Sequence, residues 1–258
     1  MNVNVSTIYK FISLIKTFFW RDKNIIYVNS NKKSQSKDII DNLIGTRGCK
    51  WIMCESITKL GYRFYKLHLL KMKKNLYDIS RNLSESKILS YSGFASPMFA
   101  AYDGYCLGDN RSYRFIDIDS SCTNGYVIEY EKKLLEVSEF DKVRNDIVNV
   151  IFSCSIDIRL ESIKGQKYIF DEKSGCKVDL LYLQKVYSYT KCLLDYLGKS
   201  GVKRINMYIA AKQPISFIIG TAIQPGHPKV YIYEYFEGTY NNDISLLIQE
   251  GKIGGNNG

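Results

Sequence analysis

The feature that most constrains this chain is a segment that matches itself 117 residues further on. Lys87-Ile-Leu-Ser-Tyr-Ser-Gly-Phe-Ala-Ser-Pro97 aligns without a gap on Arg204-Ile-Asn-Met-Tyr-Ile-Ala-Ala-Lys-Gln-Pro214. Basic falls on basic, Ile on Ile, Tyr on Tyr and Pro on Pro. Each segment opens a unit that reads strand, small-residue loop, proline-started helix, glycine turn, strand. The spacing continues into the strands at Tyr113 and Val230. Self-similarity at a fixed spacing signals repeated architecture, and proline is favoured at the first turn of a helix.

The rest of the chain supplies further alternating strands and helices. The strand expectations are 24–28, 87–92, 113–119, a long strand over 148–158, 204–210 and 229–235. The helix expectations are 8–20, 36–43, a long helical pattern over 55–83, 97–107, 178–197 and 214–222. Tyr168 to Phe170 is expected to pair back as a hairpin. The predicted class is α/β, with two Rossmann-like halves related by a pseudo-two-fold axis. The division is a basic N-terminal half over 1–135 with a leading helix, a C-terminal half over 136–250, and a Gly/Asn-rich tail over 251–258 expected to be disordered.

Charge is unevenly placed. Residues 1–86 hold 16 Lys and Arg against 6 Asp and Glu, whereas 87–258 hold 20 of each, so the whole +10 excess lies in the first third. It is densest between Arg63 and Lys74, which reads either as a solvated helix face or as a surface for polyanions. No zinc finger, ribonucleoprotein motif or basic zipper accompanies it, which argues against long nucleic acid as the partner. An RNA-binding scaffold rests on this region alone. No run of 18 apolar residues predicts a membrane span, and the amphipathic start lacks a signal-peptide cleavage site. Seven scattered cysteines with no CxxC pair, and only two histidines, give neither a disulfide framework nor a zinc site. A reducing cytoplasm is the simplest compartment.

The repeated unit points to a site. In an open parallel sheet, ligands settle beyond the carboxyl ends of the strands, where helix N-termini offer amide donors and partial positive charge to anions. The two equivalent loops are Ser92-Gly-Phe-Ala-Ser96 and Ala210-Ala-Lys-Gln213. Ser92, Phe94, Ser96, Ala210, Lys212 and Gln213 are therefore the candidate ligand-binding residues. Lys212 is assigned to phosphate and Phe94 to base stacking.

Tyr208-Ile-Ala-Ala-Lys-Gln-Pro-Ile-Ser-Phe-Ile-Ile-Gly220, with Val230-Tyr-Ile-Tyr-Glu-Tyr235 and Tyr240, resembles the closing segment of SAVED domains. The resemblance extends over roughly 24–247 and is best at 204–240. It implies two fused CARF-like Rossmannoid units that sense a cyclic oligonucleotide, such as a cyclic oligoadenylate, in bacterial anti-phage defence of the CBASS or type III CRISPR kind. SAVED domains usually carry a fused effector, for which 258 residues leave no room. The expected partners are the cyclic ligand and either a separate effector protein or further copies of the chain in a filament. Two alternatives stay open: that the chain is only the sensor part of a longer fused protein, and that it sequesters the messenger.

Enzymatic readings have less support. No GxSxG, P-loop or HExxH spacing occurs. Asp117 and Asp119 share a strand face as a metal pair would, but read better as solvated carboxylates. Neither a catalytic constellation nor a cofactor or metal is expected. A ring nuclease needs no strict motif, so it is the enzyme alternative.

Overall fold

The computed structural model describes residues 25–30, 36–44, 49–55, 62–82, 88–93, 95–118, 125–175, 177–236 and 239–249. The first half runs β1 (Ile25–Ser30), α1 (Ser36–Ile44), β2 (Lys50–Glu55), α2 (Tyr62–Asn82), β3 (Leu89–Gly93), α3 (Pro97–Leu107), β4 (Tyr113–Ile118) and β5 (Gly125–Tyr130). The second runs β6 (Ile147–Ser153), a 3-10 turn (Leu160–Ser162), β7 (Lys167–Phe170), α4 (Leu180–Lys199), β8 (Arg204–Ala210), α5 (Gln213–Thr221), β9 (Lys229–Phe236) and β10 (Thr239–Gln249). The expected helix over 8–20 and the tail over 251–258 lie outside the described residues.

The two sheets have one topology. Strand order is β2-β1-β3-β4-β5 in the first and β7-β6-β8-β9-β10 in the second. Four strands of each are parallel and the last is antiparallel. The parallel strands are apolar on both faces, as Ile-Val-Asn-Val-Ile-Phe-Ser in β6 illustrates, because helices or loops cover both sides. On the outer face, α1 seals Ile26, Val28, Ile116 and Ile118, and the segment around Ile158 and Ile163 seals Ile151, Tyr208 and Tyr233. The inner faces share the main core with α2, α3, α4 and α5.

Some expectations fail for identifiable reasons. Residues 50–55 form strand β2, because the helical pattern assigned from Glu55 onward takes hold only at Tyr62. Strand β6 ends at Ser153 rather than near 158. Segment 167–170 pairs parallel to β6, so the hairpin is wrong; a short apolar run does not encode strand direction. The basic stretch does form helix α2, whose Met72, Leu76 and Ile79 are buried while Lys71, Lys73 and Lys74 face solvent.

The repeat is real in topology but its spacing is not 117 throughout. Leu89 and Tyr91 face the shared core, as do Ile205, Met207 and Ile209, whereas Tyr208 faces outward beside Tyr233. Tyr91 and Tyr208 therefore occupy opposite faces. A one-residue slip turns every side chain of a strand over, so the true equivalence there is 116. The helices agree: their N-caps are Ser96 and Lys212. Pairing of Leu89 with Tyr113, against Ile205 with Val230, restores 117 at the following strand.

Helices α3 and α5 are buried almost all round, with Met98 to Gly104 and Pro214 to Thr221 inaccessible, as helices of an interior must be. They meet backbone to backbone. A Cβ on Gly104 would lie 2.0 Å from the Phe217 carbonyl oxygen, and one on Gly220 would lie 1.9 Å from that of Ala101. The two contacts are related to one another by the pseudo-two-fold rotation. The helices run in the same direction. Beyond their C-terminal ends, Gln224 Nε2 donates to Asp109 Oδ2 at 3.3 Å, and at the opposite ends Gln213 bonds the Tyr91 hydroxyl. Tyr187 from α4 also donates to Asp109, at 2.7 Å.

Two buried polar groups deepen the packing. Asp103 of α3 is fully buried and accepts hydrogen bonds from Tyr91 (2.8 Å) and Tyr27 (3.2 Å). Burial and this carboxylate together drive the Tyr91 hydroxyl well above its ordinary pKa. In the second half, His227 Nδ1 accepts from the Gln224 amide at 3.0 Å, leaving Nε2 to face Asp195 at 3.0 Å.

Two measurements test these features. Gly104→Ala and Gly220→Ala should each destabilise the protein by about 1–3 kcal/mol or more, since backbone must move to admit the methyl group. Gly198→Ala, whose Cβ would meet only Pro228 at 3.6 Å, should be neutral or stabilising in the same urea titration. Burial also holds the His227 pKa below its ordinary 6.5, against the pull of Asp195. The unfolded chain then binds the proton more readily than the folded one. Stability should be full above about pH 6.5 and fall as the pH drops below it. His227→Gln should flatten that slope in thermal melts between pH 7.5 and 5.

Candidate functional site

Because α3 and α5 run side by side, their N-termini open on the same end of the molecule, beyond the carboxyl ends of β3 and β8. These are the positions next to β1 and β6, where strand order reverses in each sheet and ligands of open α/β sheets settle. Two parallel helices also bring two positive dipole ends together.

The N-cap residues carry an exchanged pair of contacts. Ser96 Oγ donates to Glu234 Oε2 of β9 at 2.7 Å. Lys212 Nζ lies 3.6 Å from Asp117 Oδ2 of β4. In each case the N-cap of one half meets a carboxylate on the fourth strand of the other half. Ser96 corresponds to Lys212 and Asp117 to Glu234, so the same contact is made twice about the axis. Neither side chain caps its own helix; Ser96, which by type would do so, is spent across the seam. Asp117 is held further by Tyr126, whose hydroxyl donates to Oδ2 at 2.6 Å and accepts from the Val178 amide at 2.7 Å. Its carboxylate is only 14% exposed, against 31% for Lys212.

The six candidate residues divide accordingly. Ser96, Lys212 and Gln213 come together at the paired N-termini. Ser92 does not offer its hydroxyl to the site: it is buried and donates to the Ile116 carbonyl at 2.7 Å. Ala210 contributes backbone, its carbonyl accepting from the Cys154 and Ser155 amides. Phe94 lies outside the described residues. Asp117 is not the solvated carboxylate that its strand-end position suggests, and Asp119 is outside the described residues. Glu234 was not among the candidates, although an acid falls on an acid there at the repeat spacing of 117.

The chemistry available elsewhere is limited. Burial pushes the thiols of Cys54 up to about 12 and of Cys106 and Cys154 up to about 11, so these remain protonated at neutral pH. Both His227 nitrogens are committed to protein partners. Among the described residues no group of three or more His, Cys, Asp or Glu gathers as a metal would require, and no helix is long and apolar enough to cross a membrane.

Solved structures share this fold. The Acinetobacter baumannii Cap4 SAVED/CARF-domain containing receptor with the cyclic trinucleotide 2'3'3'-cAAA matches with a TM-score of 0.56 at 13% identity, over 94% of this chain and 55% of that one. The same receptor with 3'3'3'-cAAA matches with a TM-score of 0.53 at 15% identity, over 94% and 55%. The Moraxella osloensis Cap4 SAVED/CARF-domain containing receptor matches with a TM-score of 0.51 at 12% identity, over 92% and 52%. The chain thus spans about half the length of the receptors it resembles. No family profile and no curated protein sequence matches it. At these identities the likeness is one of fold: a mixed α/β chain with two five-stranded sheets, arranged as in SAVED/CARF-domain receptors.

Proposed function

We propose that this chain is a receptor for a cyclic oligonucleotide second messenger, bound where the N-termini of α3 and α5 adjoin. The supporting observation is the doubled contact between the halves, in which Ser96 and Lys212 stand at equivalent places about the axis. Two helix ends, a lysine and a serine hydroxyl suit a ligand that presents more than one phosphate to both halves. The fold likeness to receptors whose structures contain cyclic trinucleotides supports the same ligand class. Lys212 engages phosphate, Ser96 and Gln213 add neutral donors, and Phe94 stacks on a base. In the anti-phage signalling that the SAVED resemblance implies, the ligand bridges the halves and biases their arrangement. The output is ligand-induced oligomerisation or engagement of a separate partner.

Titration calorimetry against cyclic di-, tri- and tetranucleotides is the direct test. At least one ring should bind tighter than about 10 μM, near −7 kcal/mol. Failure of every ring would end the receptor reading. Lys212→Ala should weaken the best ligand by roughly 10- to 100-fold, the scale of a charged hydrogen bond. Phe94→Ala should cost about 1–3 kcal/mol if it stacks. Light scattering with the bound ring, together with chromatography of the ring, then separates the outputs: mass growth indicates oligomerisation, unchanged mass with intact ring indicates partner engagement or sequestration, and loss of the ring indicates a ring nuclease.

A further inference from the structure

The proposed ligand is an anion, yet both helix N-termini at its site are met by carboxylates. Each carboxylate comes from the opposite half. Glu234 holds the Ser96 hydroxyl at 2.7 Å and Asp117 faces Lys212 at 3.6 Å. Asp117 is also fixed by the Tyr126 hydroxyl at 2.6 Å, and that hydroxyl is tied to the Val178 amide. The acid is therefore positioned by the second half as well as borne by the first. Neither N-cap side chain serves its own helix. These features go beyond neutralising a dipole end, which a single exposed acid in the first turn would accomplish.

We infer that Asp117 and Glu234 are specificity-determining residues that act as a paired latch: in the ligand-free protein they occupy the donors that phosphate would otherwise take. This rests on the receptor reading of the same site. An anion that reaches only one helix end has to displace its carboxylate while the other contact still holds the halves in register. A ring long enough to reach both ends replaces both contacts together. The latch thus lowers affinity for small anions more than for a ligand spanning the axis. Releasing Ser96 from Glu234 and Lys212 from Asp117 also removes two cross-half contacts, so ligand exchange and a change at the seam are the same event. The Ser96–Glu234 contact is a hydrogen bond at 2.7 Å, whereas the Lys212–Asp117 pair at 3.6 Å lies beyond hydrogen-bond range.

The test uses the full chain, with 3'3'3'-cAAA and inorganic pyrophosphate as probes. Asp117→Asn and Glu234→Gln preserve shape and remove charge. Each should tighten pyrophosphate binding by at least about fivefold, and the double variant by more, while the ring gains less. The gain from Asp117→Asn should vanish in a Lys212→Ala background, since it acts through that lysine. Unchanged or weaker pyrophosphate binding in both single variants would overturn the latch. Weaker ring binding with unchanged pyrophosphate binding would overturn it too, and would make the carboxylates direct contacts to the ring. Thermal melts of Ser96→Ala, Glu234→Gln and the pair, without ligand, read the contact itself; strictly additive effects would refute the latch whatever the ligand proves to be. If no cyclic nucleotide binds the wild type while the melts show coupling and pyrophosphate binding tightens, the receptor reading fails and the latch stands.

Discussion

The arrangement depends on one contact: two helices lie so close that each has a glycine against the other's carbonyl. Gly104 against Phe217 and Gly220 against Ala101 leave no room for side chains between α3 and α5. Such an approach ties the two halves together along a strip of bare backbone. It also forces two helix dipoles to lie parallel, with their positive ends side by side, an electrostatic cost that the molecule must offset. Asp117 and Glu234 bring negative charge to those ends from the two sheets, through the side chains of Lys212 and Ser96.

Much of this architecture is legible in the sequence. The alternation of apolar strands with helices, and the recurrence of one unit with its helix-opening proline, lead to two Rossmann-like halves. The helix at 97–107 is read with its observed bounds because Pro97 and Gly108 punctuate it. What is lost has physical causes. The chance coincidence of Tyr91 with Tyr208 favours a register one residue off, and nothing in a short apolar run says which face a tyrosine takes. Only the pairing partners resolve it. Strand β5 is short and opens on a glycine, and β10 carries Asn241, Asn242 and Asp243 where a strand signal is weakest. Both are antiparallel edge strands whose existence depends on a neighbour rather than on their own composition.

The site is legible in part for a similar reason. A helix N-terminus after a parallel strand is readable from sequence, and Ser96, Lys212 and Gln213 do stand at the two N-termini. Ser92 was misplaced because strand alternation, not loop proximity, decides where its hydroxyl goes. The carboxylates were undervalued because their partners are more than 90 residues distant in the chain. The signal that unites Asp117 and Glu234 is a charge that repeats with the fold, 117 residues apart, rather than an isolated motif.

The segment between the halves has its own consequence. Residues 131–146 have no regular structure, yet they are fastened along α4: Gln184 holds the Glu131 carbonyl, Ser188 receives the Leu135 amide, and Phe140 packs on Tyr189 and Tyr196. Tyr168 takes the Asp141 carbonyl and Gln166 that of Lys142. A connection secured at so many points has no slack to reach across to a second molecule. Domain swapping, a low-cost route by which duplicated halves form dimers, would require peeling this strap away first. Copies of the chain that assemble must therefore do so through their outer surfaces, with each pair of halves kept within one polypeptide.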